Sequence, residues 1–242
     1  METTIQISGL SKSYAGNKVI ENLSLSVAAG EVYGLLGANG AGKSTTIQCI
    51  LGTREADSGT VRILGLNPWE NRKQLFEQVG VQFQETNYPD KIKVRELCEE
   101  TACLYRQSSS YGELLQKFGL VDKREAFVSE LSGGQKQKLF IVLALIPNPQ
   151  VVFLDELTTG LDTKARRGVW KGLQELKEQG LTIFLSSHFM DEVEILCDRI
   201  GILKDSGFVF EGTVQEAVEL SPHERLEDAY LWFTGEEETG DE

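Results

Sequence analysis

Lys43 and Ser44 close the run Gly37-Ala38-Asn39-Gly40-Ala41-Gly42-Lys43-Ser44. The run fits G-x-x-x-x-G-K-[ST], a phosphate-binding P-loop. Its chemistry is that of anion capture. Glycines let the backbone curl so that several N–H groups point inward, and the N-terminus of the helix that follows adds its partial positive charge. The lysine would reach the β/γ-phosphates of a nucleotide, and the Ser44 hydroxyl would hold Mg²⁺. A second candidate is the carboxylate pair Asp155-Glu156 after Val151-Val152-Phe153-Leu154. Asp155 suits Mg²⁺, directly or through water, and Glu156 suits a group that orients or deprotonates an attacking water. By itself the pair could be the acidic start of a loop; a P-loop upstream favours the chemical reading. A third is Leu131-Ser132-Gly133-Gly134-Gln135. Ser132 can cap a helix, and the glycines permit close approach of backbone N–H groups to an anion, although a plain Ser-Gly-Gly helix start is common.

These groups need a scaffold that brings strand ends together. Glu31-Val32-Tyr33-Gly34-Leu35-Leu36 is an apolar run of strand length, and residues 45–52 read as a helix ending at Gly52. Upstream, Ile5, Ile7 and Leu10 precede a turn at Ala15-Gly16-Asn17-Lys18, and Leu23, Leu25 and Val27 alternate with Ser24 and Ser26. That alternation predicts half-buried β structure over residues 4–36. Residues 60–64, 79–84, 151–154 and 181–185 read as further strands. Residues 94–148 read as helical, with breaks at Ser108-Ser109-Ser110, Gly119 and Pro147-Asn148-Pro149. Residues 170–179 and 190–197 read as helices, residues 200–203 and 208–210 as paired strands, and Ser221-Pro222 as the start of a last helix. Strands alternating with helices at both ends of a helical block predict an α/β sheet core with an inserted helical subdomain. No repeat or low-complexity linker interrupts it.

Composition narrows the function classes. The 242 residues suffice for a sizeable core, and 40% apolar with 25% charged residues is ordinary for a soluble globular chain. A formal net charge of −13 argues against a nucleic-acid surface. Part of the acidity lies in residues 235–242, read as a solvated tail. Cys49, Cys98, Cys103 and Cys197 form no Cys-x-x-Cys pair and have no histidine at metal-site spacing, as expected of idle thiols in a reducing compartment. The N-terminus lacks a signal-peptide pattern, and the longest apolar run, residues 139–146, is too short to span a bilayer. Any membrane role is expected to pass through another chain.

Residues 37–44, 131–135 and 151–156, in this order, resemble the ATP-binding-cassette (ABC) ATPases, and the resemblance extends over nearly all of residues 4–234. It implies a P-loop NTPase core, a mixed sheet with helices and an N-terminal antiparallel β part. The core would comprise residues 1–84 and 151–234, with residues 85–150 an α-helical subdomain carrying the signature motif. It also implies that ATP and Mg²⁺ bind. The P-loop residues Gly37, Asn39, Gly40, Ala41, Gly42, Lys43, Ser44 and Thr45 would hold the phosphates, and Tyr14 would stack on adenine. Gln84 would contact Mg²⁺ or water and link the nucleotide to a transmembrane partner. His188 would contact the γ-phosphate, where a polar residue satisfied at a strand end is the plain alternative. Thr159-Gly160-Leu161-Asp162 would cross to a second subunit, head to tail, and Ser132, Gly133, Gly134 and Gln135 would complete that subunit's ATP site.

One departure is Leu157, where the family usually has proline after the catalytic glutamate. Proline fixes φ and removes a donor, so Leu157 is expected to loosen that loop slightly without removing a catalytic group. Gln82-Phe83-Gln84-Glu85-Thr86-Asn87-Tyr88-Pro89, His188-Phe189-Met190-Asp191-Glu192-Val193-Glu194 and Leu226-Glu227-Asp228-Ala229-Tyr230-Leu231 are similar to the bacterial drug- and antibiotic-exporter branch. There the ATPase and the membrane permease are often separate chains. The implied setting is the cytoplasmic face of the membrane, with a second ATPase subunit and a permease as partners. A soluble cassette ATPase and a cassette that no longer hydrolyses are the alternatives. The single cassette, the absence of heptads in residues 85–130 and the acidic charge disfavour the first. Lys43, Asp155, Glu156 and His188 together disfavour the second.

Overall fold

The computed structural model describes residues 2–82, 88 and 91–236. β1 (Thr3–Tyr14) and β2 (Asn17–Ala28) form a hairpin around Ala15 and Gly16, both with positive φ (48° and 85°). The alternating residues Ile5, Ile7, Leu10, Leu23, Leu25 and Val27 are all buried, so the period-two pattern marks one core-facing side. β4 (Ser58–Ile63) pairs antiparallel with the other edge of β1, setting Ile5 opposite Ile63. This is the expected antiparallel N-terminal part.

The main sheet has the order β5-β6-β7-β3-β8-β9 among the described residues. Its strands are β3 (Val32–Gly37), β5 (Val79–Gln82), β6 (Val151–Leu154), β7 (Thr182–Ser186), β8 (Arg199–Lys204) and β9 (Gly207–Thr213). All neighbouring pairs are parallel except β8 with β9. β3, β6 and β7 are buried along their whole length, which is why they read as continuous apolar runs rather than alternating ones. Because β6, β7 and β3 are adjacent and parallel, their C-terminal ends open on one rim, where ligands of such sheets collect. The P-loop leaves β3 there and runs into α1 (Lys43–Ile50).

Between β5 and β6 lie α3 (Val94–Cys103), α4 (Tyr111–Lys117) and α5 (Gly133–Leu145), and before β5 a single turn, α2 (Arg72–Leu75). The helices share one apolar cluster with the sheet: Leu139, Val142 and Ile146 join Val152, Leu154, Ile183 and Leu185. α5 presses so closely on β5 that a Cβ on Gly80 would lie 1.9 Å from the Ala144 carbonyl oxygen. On the far side, β8, β9 and the C-terminal helices enclose a separate cluster with Leu36, Ile200, Ile202, Phe210 and Leu226. No helix of the described residues is long and apolar enough to cross a membrane.

Two helix boundaries differ from expectation. α6 runs Thr163–Glu178, with Asp162 as its N-cap accepting a hydrogen bond from the Ala165 N–H at 2.8 Å. Its first turns, Thr-Lys-Ala-Arg-Arg, carry no apolar signal, so the cap and not hydrophobic periodicity sets the start. Ser221-Pro222 does not begin the last helix. α8 (Val214–Leu220) ends there, and α9 spans Leu226–Thr234. Proline just past a helix end is a stop signal as much as a start signal, and the real start of α8 is the capping box of Thr213 and Glu216. α7 (Met190–Leu196) lies where expected. Of the acidic tail, residues 237–242 lie outside the described residues.

Candidate functional site

The P-loop turns on glycines that no other residue could replace at equal cost. Gly40 and Gly42 have φ of 86° and 102°. A Cβ on Gly42 would sit 2.8 Å from the Val19 carbonyl oxygen, whereas one on Gly40 would meet nothing. Gly42 is also the N-cap of α1 and supplies no capping side chain. The first-turn N–H groups, at Lys43, Ser44 and Thr45, are thus left for an outside acceptor. Lys43 is only 5% exposed. Its Nζ donates to the carbonyls of Gly37 (2.7 Å) and Ala38 (3.1 Å). Burial pulls its pKa down, and the charges of Glu156 and Asp155 oppose that.

The carboxylates arrive from β6. Asp155 is buried and accepts from the Ser186 hydroxyl at 2.5 Å. That hydroxyl in turn accepts from the Glu156 N–H at 2.9 Å, so the end of β7 fixes both residues. Glu156 has φ of 52°, a left-handed turn that costs a non-glycine residue about 1–2 kcal/mol. Gln137 of α5 helps to hold the turn, its Nε2 donating to the carbonyls of Glu156 (3.3 Å) and Leu157 (2.9 Å). Leu157, placed where loosening is expected, is fully buried in the main core. Side-chain packing supplies an anchor there that proline would supply through φ.

A cavity of about 730 Å³ unites most of the expected residues and falls within the size range of small-molecule sites. Tyr14, Asn39, Gly40, Gly42, Lys43, Ser44, Thr45, Glu156 and His188 line it. Asp155 lies beneath, close enough for its charge to act on Lys43. Gly37 contributes the carbonyl under Lys43, and Ala41 faces a smaller neighbouring cavity with Lys18 and Lys204. The Tyr14 ring has the Arg54 guanidinium 5.2 Å and the Lys12 ammonium 5.6 Å from its centroid. Gln84 lies outside the described residues. A cavity of about 800 Å³ lined by Lys73, Gln78, Arg106 and Asn148 contains none of these groups.

Ser132, Gly133, Gly134 and Gln135 do not line the P-loop cavity. They form a capping box at the start of α5: the Ser132 hydroxyl accepts from the Gln135 N–H at 3.3 Å, and the Ser132 N–H donates to Gln135 Oε1 at 3.0 Å. Gly134 packs against Leu161, but a Cβ on Gly133 would meet nothing among the described residues. Thr159, expected in a segment that crosses to a second subunit, also lines the P-loop cavity; sequence reasoning missed Val19, which lines it too, and the supporting residues Ser186 and Gln137. Val19 carries no motif of its own. Ser186 and Gln137 act across the fold, where spacing gives no signal.

A family profile described as "ABC transporter" matches residues 20–159. Among curated relatives, "Nod factor export ATP-binding protein I" of Mesorhizobium japonicum is 41% identical over 221 residues, covering 89% of this chain and 65% of that protein. The Rhizobium meliloti protein of the same name is 41% identical over 214 residues, covering 86% and 64%. The chain thus spans just under two thirds of these relatives. Among solved structures, "Structure of ATP binding subunit of ABC transporter" superposes with a TM-score of 0.86 at 29% identity, covering 96% of this chain and all of that one. A dimeric ATP-binding cassette in a post-hydrolysis state, bound to ADP and Pi, gives 0.78 at 25% identity, covering 86% and 98%.

Proposed function

The chain belongs to the ABC transporter family, and on that premise we propose that it is an ATP-binding, ATP-hydrolysing subunit of an exporter. It would couple closure of two cassettes to a separate membrane subunit at the cytoplasmic face. One observation carries the reading: Lys43 and Ser44 at the start of α1, Glu156 just past β6 and His188 just past β7 converge on one cavity. The export names of the curated relatives support the direction of transport.

In this reading the N–H groups of residues 43–45 and the Lys43 ammonium bind the β/γ-phosphates, positioning them and stabilising charge. Lys43 exchanges the Gly37 and Ala38 carbonyls for phosphate oxygens. Glu156, held by Ser186 and Gln137, orients the attacking water and takes its proton. His188 lines the same cavity and would contact the γ-phosphate. Tyr14 offers a ring for adenine. The hydroxyl of Ser44 and carboxylate of Asp155 are hard oxygen donors and fit Mg²⁺, which supplies charge neutralisation on the phosphates when bound. Gln84 is assigned to the same ion by resemblance. Residues 85–150 serve as the helical subdomain, and Gly133, whose missing Cβ serves no contact among the described residues, faces the nucleotide of a second cassette arranged head to tail.

Glu156→Gln tests the assignment. We expect ATP affinity to be kept, turnover to fall about 10²–10⁴-fold and a dimer to accumulate with ATP in size-exclusion chromatography. Hydrolysis at the parent's rate would overturn it.

A further inference from the structure

Tyr14 lines the P-loop cavity, yet no hydrogen bond fixes its ring there: its hydroxyl is buried without a partner among the described residues. A buried tyrosine hydroxyl usually finds one. The ring is held through its π face instead. The Arg54 guanidinium lies over it at 5.2 Å from the centroid and the Lys12 ammonium at 5.6 Å, both within reach of a cation–π contact. Neither cation lines the cavity, so they brace the ring without occupying the space a nucleotide would fill.

Both cations are anchored by the segment that follows α1. Arg54 donates from Nε to Gln48 Oε1 at 2.8 Å, and its backbone N–H donates to the Gln48 carbonyl at 3.1 Å. Asp57 accepts from Lys12 Nζ at 2.7 Å and from the Ser13 N–H at 2.6 Å, one on each carboxylate oxygen. Its own N–H donates to the Ser11 carbonyl at 2.8 Å. These bonds fall where β1 slips out of register with β2, between Leu10 and Ser13, so the hairpin alone does not fix the approach to Tyr14. The Lys12–Asp57 pair, 16% and 45% exposed, is too open to water to add much stability; its geometry sets where residue 14 lies. Gln48 belongs to α1, whose first turn presents Lys43, Ser44 and Thr45 to the cavity. One helix thus bears the phosphate end of the site directly and braces the ring through Arg54.

We propose that Arg54 and Asp57 are positioning residues that hold the Tyr14 ring as a platform for the base of the nucleotide, a role that rests on the function proposed above. Neither lines the cavity; both act through Tyr14, which does. Ordering already present in the free protein is ordering the base need not supply on binding. The two residues therefore raise affinity for a nucleotide and leave the capture of bare phosphate by the P-loop alone.

The test is isothermal titration of the full chain with ATP and, separately, with inorganic tripolyphosphate, both with Mg²⁺, beside thermal melting. Arg54→Met removes the guanidinium and keeps most of the stem. It should weaken ATP binding about two- to fivefold, the worth of an exposed cation–π contact, and leave tripolyphosphate affinity unchanged. Asp57→Ala should split the two ligands in the same way. In a Tyr14→Ala background, where ATP affinity is already lowered, neither substitution should have any further effect. Three results would overturn the proposal: parent ATP affinity in a folded Arg54→Met, an equal loss for tripolyphosphate, or a loss that persists without Tyr14. If tripolyphosphate binds too weakly to read, the Tyr14→Ala background decides; if Asp57→Ala does not fold, Arg54→Met decides. A parent that binds no ATP, or Tyr14→Ala binding ATP like the parent, would instead sink the base site proposed above and this role with it.

Discussion

Replacing Lys43 with Met separates two effects that burial has joined. The lysine Nζ is held by the Gly37 and Ala38 carbonyls at 2.7 and 3.1 Å, and the side chain is 5% exposed. Burial disfavours its charged form, as its lowered pKa records. Methionine keeps most of the volume and removes the charge, so the fold should lose little: the two carbonyls lose a partner, and the desolvated ammonium is gone. Nucleotide binding should lose much more. A hydrogen bond to a charged group is worth about 1.5–3 kcal/mol net, which corresponds to about 10- to 150-fold in Kd. Exchange of two existing carbonyl bonds is already contained in that net figure. Isothermal titration with ATP reads the affinity and differential scanning calorimetry reads the stability. ATP affinity within twofold of the parent, in a variant that melts like the parent, would refute the placement of the β/γ-phosphates at Lys43.

Two further expectations concern the scaffold. Gly80→Ala sets a Cβ 1.9 Å from the Ala144 carbonyl oxygen. Separating α5 from β5 should cost about 1–3 kcal/mol, a fall of about 2–12 °C in Tm for a chain of this size. Gly133→Ala meets nothing and should melt like the parent in the same calorimeter. Burial pushes the Cys98 thiol up to about 12 from 9.0. Between those values the unfolded chain releases a proton that the folded chain keeps, so stability falls as pH rises, by at most about 1.4 kcal/mol per pH unit from this group. Cys98→Ala should make the alkaline limb of urea-denaturation stability shallower. An unchanged slope would show that the thiol ionises equally in both states.

How much of this was legible depended on whether the cause was local. Ile5, Ile7 and Leu10 alternate because one strand face is buried, and that needs no partner to read. The glycines at 40 and 42 and the lysine after them declare their loop. Asp155 and Glu156 were visible because a buried parallel strand leaves an apolar run before them. By contrast, the start of α6 rests on Asp162 rather than on periodicity. Pro222 was misread because proline marks both ends of helices. Gln137 and Ser186 act on residues 19 to 31 positions away, and a side chain's distant partner leaves no trace in spacing. Leu157 shows the same limit: its loop was expected to loosen for want of the proline usual in the family, yet its side chain is fully buried.

The order of strands also bears on how the protein is made. β3 carries the P-loop, but its neighbours in the sheet are β7 and β8, which follow well over a hundred residues later. During synthesis the N-terminal hairpin can pair as soon as it emerges, because its contacts are local. A nascent chain that has left the ribosome only through residue 180 has the whole G-x-x-x-x-G-K-S sequence and yet neither strand that flanks it. Capacity to hold a phosphate is therefore acquired late in translation, when β7 and β8 insert on either side of β3.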